Sequence, residues 1–324
     1  MRYQRLLQQM MGATLALVLL AGCASPTPTQ IPPPAPLPQP TLPLIPTPAQ
    51  ATAQTGACRE SDISSQGVLR STDHGVTWAS LGMACIQNLN GLIPVDPTPL
   101  VVDGRIVLYF VDLGHLNQPV PQSIYRITSV DGVNFDAPQL AYTQPQTMVD
   151  PFVLRLPDGS FRLYVPSEPN GLISARSSDG ITFTLEGGGN LGNVFGMPGL
   201  LLLPDNRIRF FGSDHPESQW IGSLISDDGL NFTPESGWRI PMPSGYLNVN
   251  NPEPIRLADG SYLMLYQTQD RKHEGRPEFM AEIHLATSTD GFNWTANPAI
   301  IGYGGTSCVV EAPDGSLYIY YGTQ

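Results

Sequence analysis

Five stretches of this chain begin in the same way at nearly equal intervals, and that recurrence limits the fold more than any other feature. They are Val95-Asp96-Pro97, Val149-Asp150-Pro151, Gly196-Met197-Pro198, Asn250-Asn251-Pro252 and Gly305-Thr306-Ser307, with middle residues spaced by 54, 47, 54 and 55 positions. A period near fifty residues marks an array of small sheets. Each start leads into an apolar run, a turn (Asp103-Gly104, Asp158-Gly159, Asp205-Asn206, Asp259-Gly260, Asp314-Gly315) and an aromatic-rich strand such as Phe161-Arg162-Leu163-Tyr164-Val165.

The second repeat predicts four strands: Phe152 to Leu156, Phe161 to Pro166, Leu172 to Ser177 and an outer strand Ile181 to Leu185. Between its third and fourth strands lies Ser178-Asp179-Gly180, and the same turn recurs at Asp131-Gly132, Asp228-Gly229 and Asp290-Gly291. Asp-Gly between β-rich runs is a hairpin signal. The fifth repeat ends at the C-terminus after two strands, and residues 68 to 80 hold an unattached pair around Ser71-Thr72-Asp73-His74-Gly75. An N-terminal outer pair completing the C-terminal inner pair leaves no inner sheet unpaired. The chain therefore reads as all-β, a single five-bladed β-propeller over residues 58–324 closed by its two ends.

Composition agrees: 33 Pro and 32 Gly in 324 residues disfavour long helices. Residues 1–22 carry Arg2 and Arg5, a short apolar run from Ala13 to Ala21, and end at Leu20-Ala21-Gly22-Cys23. That pattern reads as a lipoprotein signal cut before Cys23, whose acylation anchors the chain to a membrane face outside the cytoplasm without spanning it. Residues 23–57 form a stalk, with eleven prolines between Pro26 and Pro48 that favour extended polyproline II. Loss of Arg2 and Arg5 with no acid moves the net charge from −12 to −14, which repels polyanions and excludes nucleic acid. Cys58, Cys85 and Cys308 remain once Cys23 carries lipid, so one disulfide is expected in an oxidising compartment. Cys58 to Cys85 is preferred because it pins the incoming stalk, though spacing leaves the connectivity open. No metal-ligand spacing, phosphate loop or Ser-His-Asp arrangement is present, so no metal or cofactor is expected.

Ser71 to Trp78 resembles a sialidase Asp-box, a turn that stabilises propellers and says little about substrate. Val149-Asp150-Pro151-Phe152-Val153 with Pro157-Asp158-Gly159 resembles the Asp-Pro strand of the arabinanase, β-xylosidase and invertase-like five-bladed glycoside hydrolases. Asp96-Pro97 is similar to their first-blade aspartate and Glu253 to their acid glutamate. The resemblance implies Asp96 as base or nucleophile, Asp150 as the orienting and pKa-tuning carboxylate, and Glu253 as proton donor. Met197 and Pro254 depart from that pattern, standing where a polar group and a glycine are usual.

Because the chain reverses at every strand, both Asp-Gly turns of a repeat project from one face. The strand starts and the loops between second and third strands gather on the other, where Asp96, Asp150 and Glu253 converge from three repeats. Paired carboxylates of this kind serve glycosidic hydrolysis, one protonated as acid and one ionised as base or nucleophile. Asp214, His215, Arg271 and His273 sit in the loops of that face as candidate substrate contacts. The expected partner is a carbohydrate, cleaved or, in a noncatalytic propeller, only bound. Oligomeric state is not legible.

Overall fold

The computed structural model describes residues 58–115, 121–145, 147–167, 171–191, 198–213, 218–270 and 281–323. Among these, strand follows strand and the only helical elements are short 3-10 turns at Glu60–Asp62 and Leu113–His115. The second repeat forms a four-stranded antiparallel sheet of Phe152–Arg155, Phe161–Ser167, Gly171–Ser177 and Thr184–Asn190. Its outer strand begins three residues later than the sequence predicts. The Asp179 carboxylate takes the backbone N–H groups of Ile181 and Thr182, so these residues belong to the turn and cannot pair.

The fourth repeat repeats this order with Tyr246–Arg256, Tyr262–Asp270, Glu282–Ser288 and Thr295–Tyr303. In the third, Gly199–Leu202, Ile208–Ser213 and Trp220–Ser226 are followed by an outer strand split into Thr233–Pro234 and Ile240–Pro241. The first contributes Pro94–Val102, Arg105–Asp112, Gln122–Ser129 and the outer segments Asn134–Phe135 and Gln139–Gln144.

The two ends of the described chain meet. Strand Ile63–Ser71 pairs antiparallel with the C-terminal strand Leu317–Gly322, from Gln66 opposite Gly322 to Ser71 opposite Leu317. Ala79–Ile86 then pairs with Ile63–Ser71 on its other side. The pair begins before residue 68 and runs past 80, because both strands continue beyond the turn that announces them. Cys85 and Ile86 also bridge Asn134 and Phe135 in parallel, joining the closing sheet to the first repeat as one nine-stranded sheet. Cys58 is bonded to Cys85, closing a 27-residue separation, and Cys308 is a buried free thiol.

Apolar side chains fill the spaces between successive sheets. Val68 and Tyr320 of the closing sheet, for example, share a cluster with Leu108, Phe110 and Ile127 of the first repeat. Burying a side chain of that size stabilises by about 1.5–3 kcal/mol. A second device ties sheet to sheet: a side chain of one repeat donates to a backbone carbonyl in the hairpin turn of the next. Tyr109 reaches Gly180, Arg162 reaches the Asp228 carbonyl at 2.8 Å, Arg209 reaches Gly291 at 2.8 Å, and Tyr320 reaches Gly132 at 3.0 Å. Gly180, Gly229 and Gly291 have φ of 69°, 72° and 67°, and at Gly229 a Cβ would stand 2.2 Å from Arg162 Nη1. Glycine is needed there for both reasons.

Each of these turns is held by its own aspartate. Asp131, Asp179, Asp228 and Asp290 each accept the N–H groups of the second and third residues that follow, with a serine two residues earlier donating to the same carboxylate. The closing turn uses Ser71, Asp73 and Thr77 in the same manner. Hydrogen bonds to the charged carboxylate lower its pKa, and Asp73 is brought down to about 2, chiefly by Thr77. Strand direction puts all these turns at one end of the sheets and the repeat starts at the other.

Candidate active site

At each described repeat start the backbone takes the left-handed conformation: φ is 51° at Asp96, 47° at Asp150, 51° at Asn251 and 28° at Thr306. Asp and Asn tolerate this region better than other residues, yet the one before proline favours extended backbone. Holding it costs of order 1–3 kcal/mol at each position and requires outside support. The register slips at the same places, between Val95 and Thr98, Asn250 and Glu253, and Gly305 and Cys308. Such a bulge breaks the two-residue alternation and re-aims side chains. Glu253, which strict alternation would turn sideways, thereby faces the same pocket as Asp96 and Asp150.

The support comes from three buried glutamines that the sequence did not single out. Gln66 Nε2 donates to the Pro94 carbonyl at 2.9 Å, Gln122 Oε1 accepts the Met148 N–H, and Gln267 Nε2 donates to the Gly304 carbonyl at 3.0 Å. Each contact falls two residues before a left-handed residue. In the fourth repeat the equivalent Val249 N–H donates to the Ser218 carbonyl at 2.8 Å. A lone amide in an apolar strand such as Tyr262-Leu263-Met264-Leu265-Tyr266-Gln267 was the available signal. The starts also hold one another: the Asp96 carboxylate accepts the Asp150 N–H at 3.2 Å, and Asn251 Nδ2 donates to the Ser307 carbonyl at 3.2 Å.

The pocket formed by these starts is lined by Asp96, Asp150, Asn251, Glu253, Thr306 and Ser307, with prolines 97, 151 and 198 between them. It draws on every repeat. Its free space is about 10 Å³, enough for roughly one water. Asp96 is 4% exposed, while Asp150 and Glu253 keep partial exposure into the pocket though protein surrounds them. Among the described residues no cationic side chain lines it and no donor reaches the Asp150 or Glu253 carboxyl group. Burial, then the Asp96 charge, pushes the Asp150 carboxyl well above the ordinary carboxylate range. Burial raises Glu253 likewise, reinforced by Asp150 and Asp96. A carboxyl so raised stays protonated nearer neutral pH and is able to donate its proton.

Pro254, the departure beside Glu253, has its explanation across the sheet boundary. A Cβ on Gly199 would stand 2.0 Å from the Pro252 carbonyl oxygen and 2.4 Å from Pro254 Cδ. The missing side chain is supplied by the neighbouring repeat. Gly199→Ala is expected to cost about 1–3 kcal/mol by overpacking against backbone, measured as a lower urea midpoint at unchanged slope; an unchanged midpoint would show that the segment carrying Glu253 yields freely.

Asp112, which ends the strand Arg105–Asp112, is fully buried and structural: its Oδ1 accepts the Ile93 and Gly114 N–H groups, each at 2.9 Å. Met197, Asp214, His215, Arg271 and His273 lie outside the described residues, as do residues 1–57 with Cys23.

No protein-family model matches this chain, and no curated protein does. Solved structures do. An endo-arabinase from Bacteroides thetaiotaomicron is 16% identical with a TM-score of 0.50, over 71% of this chain and 91% of its own. A putative glycoside hydrolase from Parabacteroides distasonis is 14% identical with a TM-score of 0.53, over 71% and 87%. An endo-1,4-β-xylanase from Bacteroides thetaiotaomicron is 15% identical with a TM-score of 0.50, over 71% and 85%. At such identities the likeness is one of fold: this all-β chain is built as a β-propeller of the kind found among glycoside hydrolases.

Proposed function

We propose that this chain is a five-bladed propeller that hydrolyses a glycosidic bond, held at a membrane surface by lipid on Cys23 and a stalk over residues 23–57. Glu253 is the proton donor, Asp96 the base or nucleophile, and Asp150 the carboxylate that orients and tunes them. Asp214, His215, Arg271 and His273 are substrate contacts of the surrounding loops. One observation carries the reading: three carboxyl groups from three repeats share a pocket with no cation among its described lining residues, and burial and the neighbouring acids raise two of them, Asp150 by the Asp96 charge and Glu253 by those of Asp150 and Asp96. This is the division of labour that acid and base catalysis by carboxylates needs. Two of the structural neighbours are an endo-arabinase and an endo-1,4-β-xylanase, which makes pentose polymers the first substrates to try.

The test is a screen of the full-length chain, kept soluble in a polyoxyethylene detergent, against aryl glycosides, arabinan and xylan. Release of sugar that falls about 10²–10⁴-fold in Asp96→Asn is the expected result. A second reading, a noncatalytic propeller that binds carbohydrate or protein, is favoured by the pocket's free space, which admits a water and not a sugar ring. Turnover of none of these substrates, or turnover unaltered in Asp96→Asn, decides for it.

A further inference from the structure

The outer strand of the third repeat is interrupted, where those of the second and fourth run on as Thr184–Asn190 and Thr295–Tyr303. Between Thr233–Pro234 and Ile240–Pro241 the chain leaves the sheet and presents Trp238, 62% exposed. Such a detour would ordinarily be a loose loop. Here it is pinned at both sides, by Glu235 N–H to the Ser223 carbonyl at 2.9 Å and Arg239 N–H to the Ile221 carbonyl at 2.7 Å. Arg239 also donates to Ser223 Oγ at 2.8 Å and to the Ser236 carbonyl at 3.0 Å, with its guanidinium 3.5 Å from the Phe292 ring centre.

The Trp238 ring is held edge-on against Trp220, with centroids 5.2 Å apart and planes at 83°. Trp220 in turn lies across Gly222, where a Cβ would stand 2.3 Å from its ring. The pair therefore has a fixed bed, and its outer member is not a stray surface residue. A rigid, exposed indole offers contact area at little entropic cost. The neighbouring cation, Arg239, is buried and committed to Ser223, Ser236 and Phe292, and the chain as a whole carries −12, so an anionic ligand is disfavoured.

We propose that Trp238, seated on Trp220, is a stacking platform for the apolar face of a neutral sugar ring, separate from the carboxylate pocket. The ligand class rests on the carbohydrate reading above; catalysis does not enter. Exposed Pro241, opposite Trp220 in the register, continues the apolar surface, and exposed Ser236 and Gln219 beside it in the chain offer hydroxyl and amide groups for sugar hydroxyls.

The experiment is native affinity electrophoresis of the full-length chain in polyoxyethylene detergent, through gels containing arabinan, xylan or polygalacturonate. Retardation by a neutral polymer, weakened about tenfold in Trp238→Ala, largely kept in Trp238→Phe, and absent with polygalacturonate, is the expected result. Retardation equal in wild type and Trp238→Ala, or none with either neutral polymer, overturns the platform. So does a self-association seen by sedimentation that Trp238→Ala abolishes, since the indole then serves a protein contact. Turnover of aryl glycosides separates this from the function itself: Trp238-dependent retardation without turnover sinks only the hydrolase, and turnover without retardation sinks only the platform.

Discussion

Glu253→Gln is expected to make this protein more stable at pH 8 and no different at pH 4, while any turnover of an unactivated glycan falls about 10²–10⁴-fold. The sign follows from the proton. In the folded chain the Glu253 carboxyl is raised by burial and by Asp150 and Asp96, whereas in the unfolded chain it titrates near the ordinary value of about 4.3. Below that value both states hold the proton and the group costs nothing. As pH rises past it, the unfolded chain releases the proton first, and stability declines until the raised folded value is passed. Glutamine has no proton to lose, so the difference between variant and parent opens across that window and stays open above it. Thermal melts at both pH values measure it, at about 2–4 °C for each kcal/mol in a domain of this size. A glutamine variant that melts lower at pH 8 would mean that the carboxylate is paired in the fold. Asp150→Asn carries the same sign, and because the Asp150 charge is part of what raises Glu253 the two gains should fall short of additive.

The acid limb has the opposite origin. Asp73, at about 2 through its bonds to Thr77 and Ser71, contributes stability that is present above the unfolded aspartate value and lost as pH falls. Asp131, Asp179, Asp228 and Asp290 are lowered in the same direction by their turn hydrogen bonds. The turn end of the molecule thus favours higher pH and the pocket end favours lower.

Arg209→Ala carries the largest expected loss of stability, about 3–5 kcal/mol. The Arg209 and Glu235 side chains are 7% and 14% exposed and form a two-pronged pair, Nε to Oε2 at 2.7 Å and Nη2 to Oε1 at 2.9 Å. Burial alone would raise Glu235, but its bonds to Arg209 and Ser223 hold it below its ordinary value. Removing the arginine leaves that carboxylate largely out of water and unpaired by its partner, and strips the Gly291 carbonyl of its link to the next sheet. A melting temperature lower by roughly 6–20 °C is the expected reading. Lysine should not restore it, lacking the planar fork, whereas Arg209→Met with Glu235→Leu should recover most of the loss, because no charge is then left behind. A small effect of Arg209→Ala would show that the sheets are held by their apolar contacts alone.

Much of this protein is written locally. The Asp-Gly turns are legible because their bonds join residues no more than four apart, as from Asp73 to Thr77, and two strand pairs that each lack the other half of a repeat, one around Ser71 and one from Cys308 to Tyr321, point to each other. Ile63–Ser71 does pair with Leu317–Gly322. The convergence of Asp96, Asp150 and Glu253 was likewise legible, since strand direction and period are enough to bring repeat starts to one end. What residues far apart in the chain decide was not legible: the left-handed backbone at the repeat starts, sustained at Asp96, Asp150 and Thr306 by Gln66, Gln122 and Gln267 from other strands; the bulge that turns Glu253 inward; and the room for Pro254 made by Gly199. Sequence by itself determined which residues meet, because period and strand direction are properties of the chain. Tertiary structure alone decided how they face and how readily they hold protons, because orientation and desolvation depend on neighbours that the chain brings together only by folding.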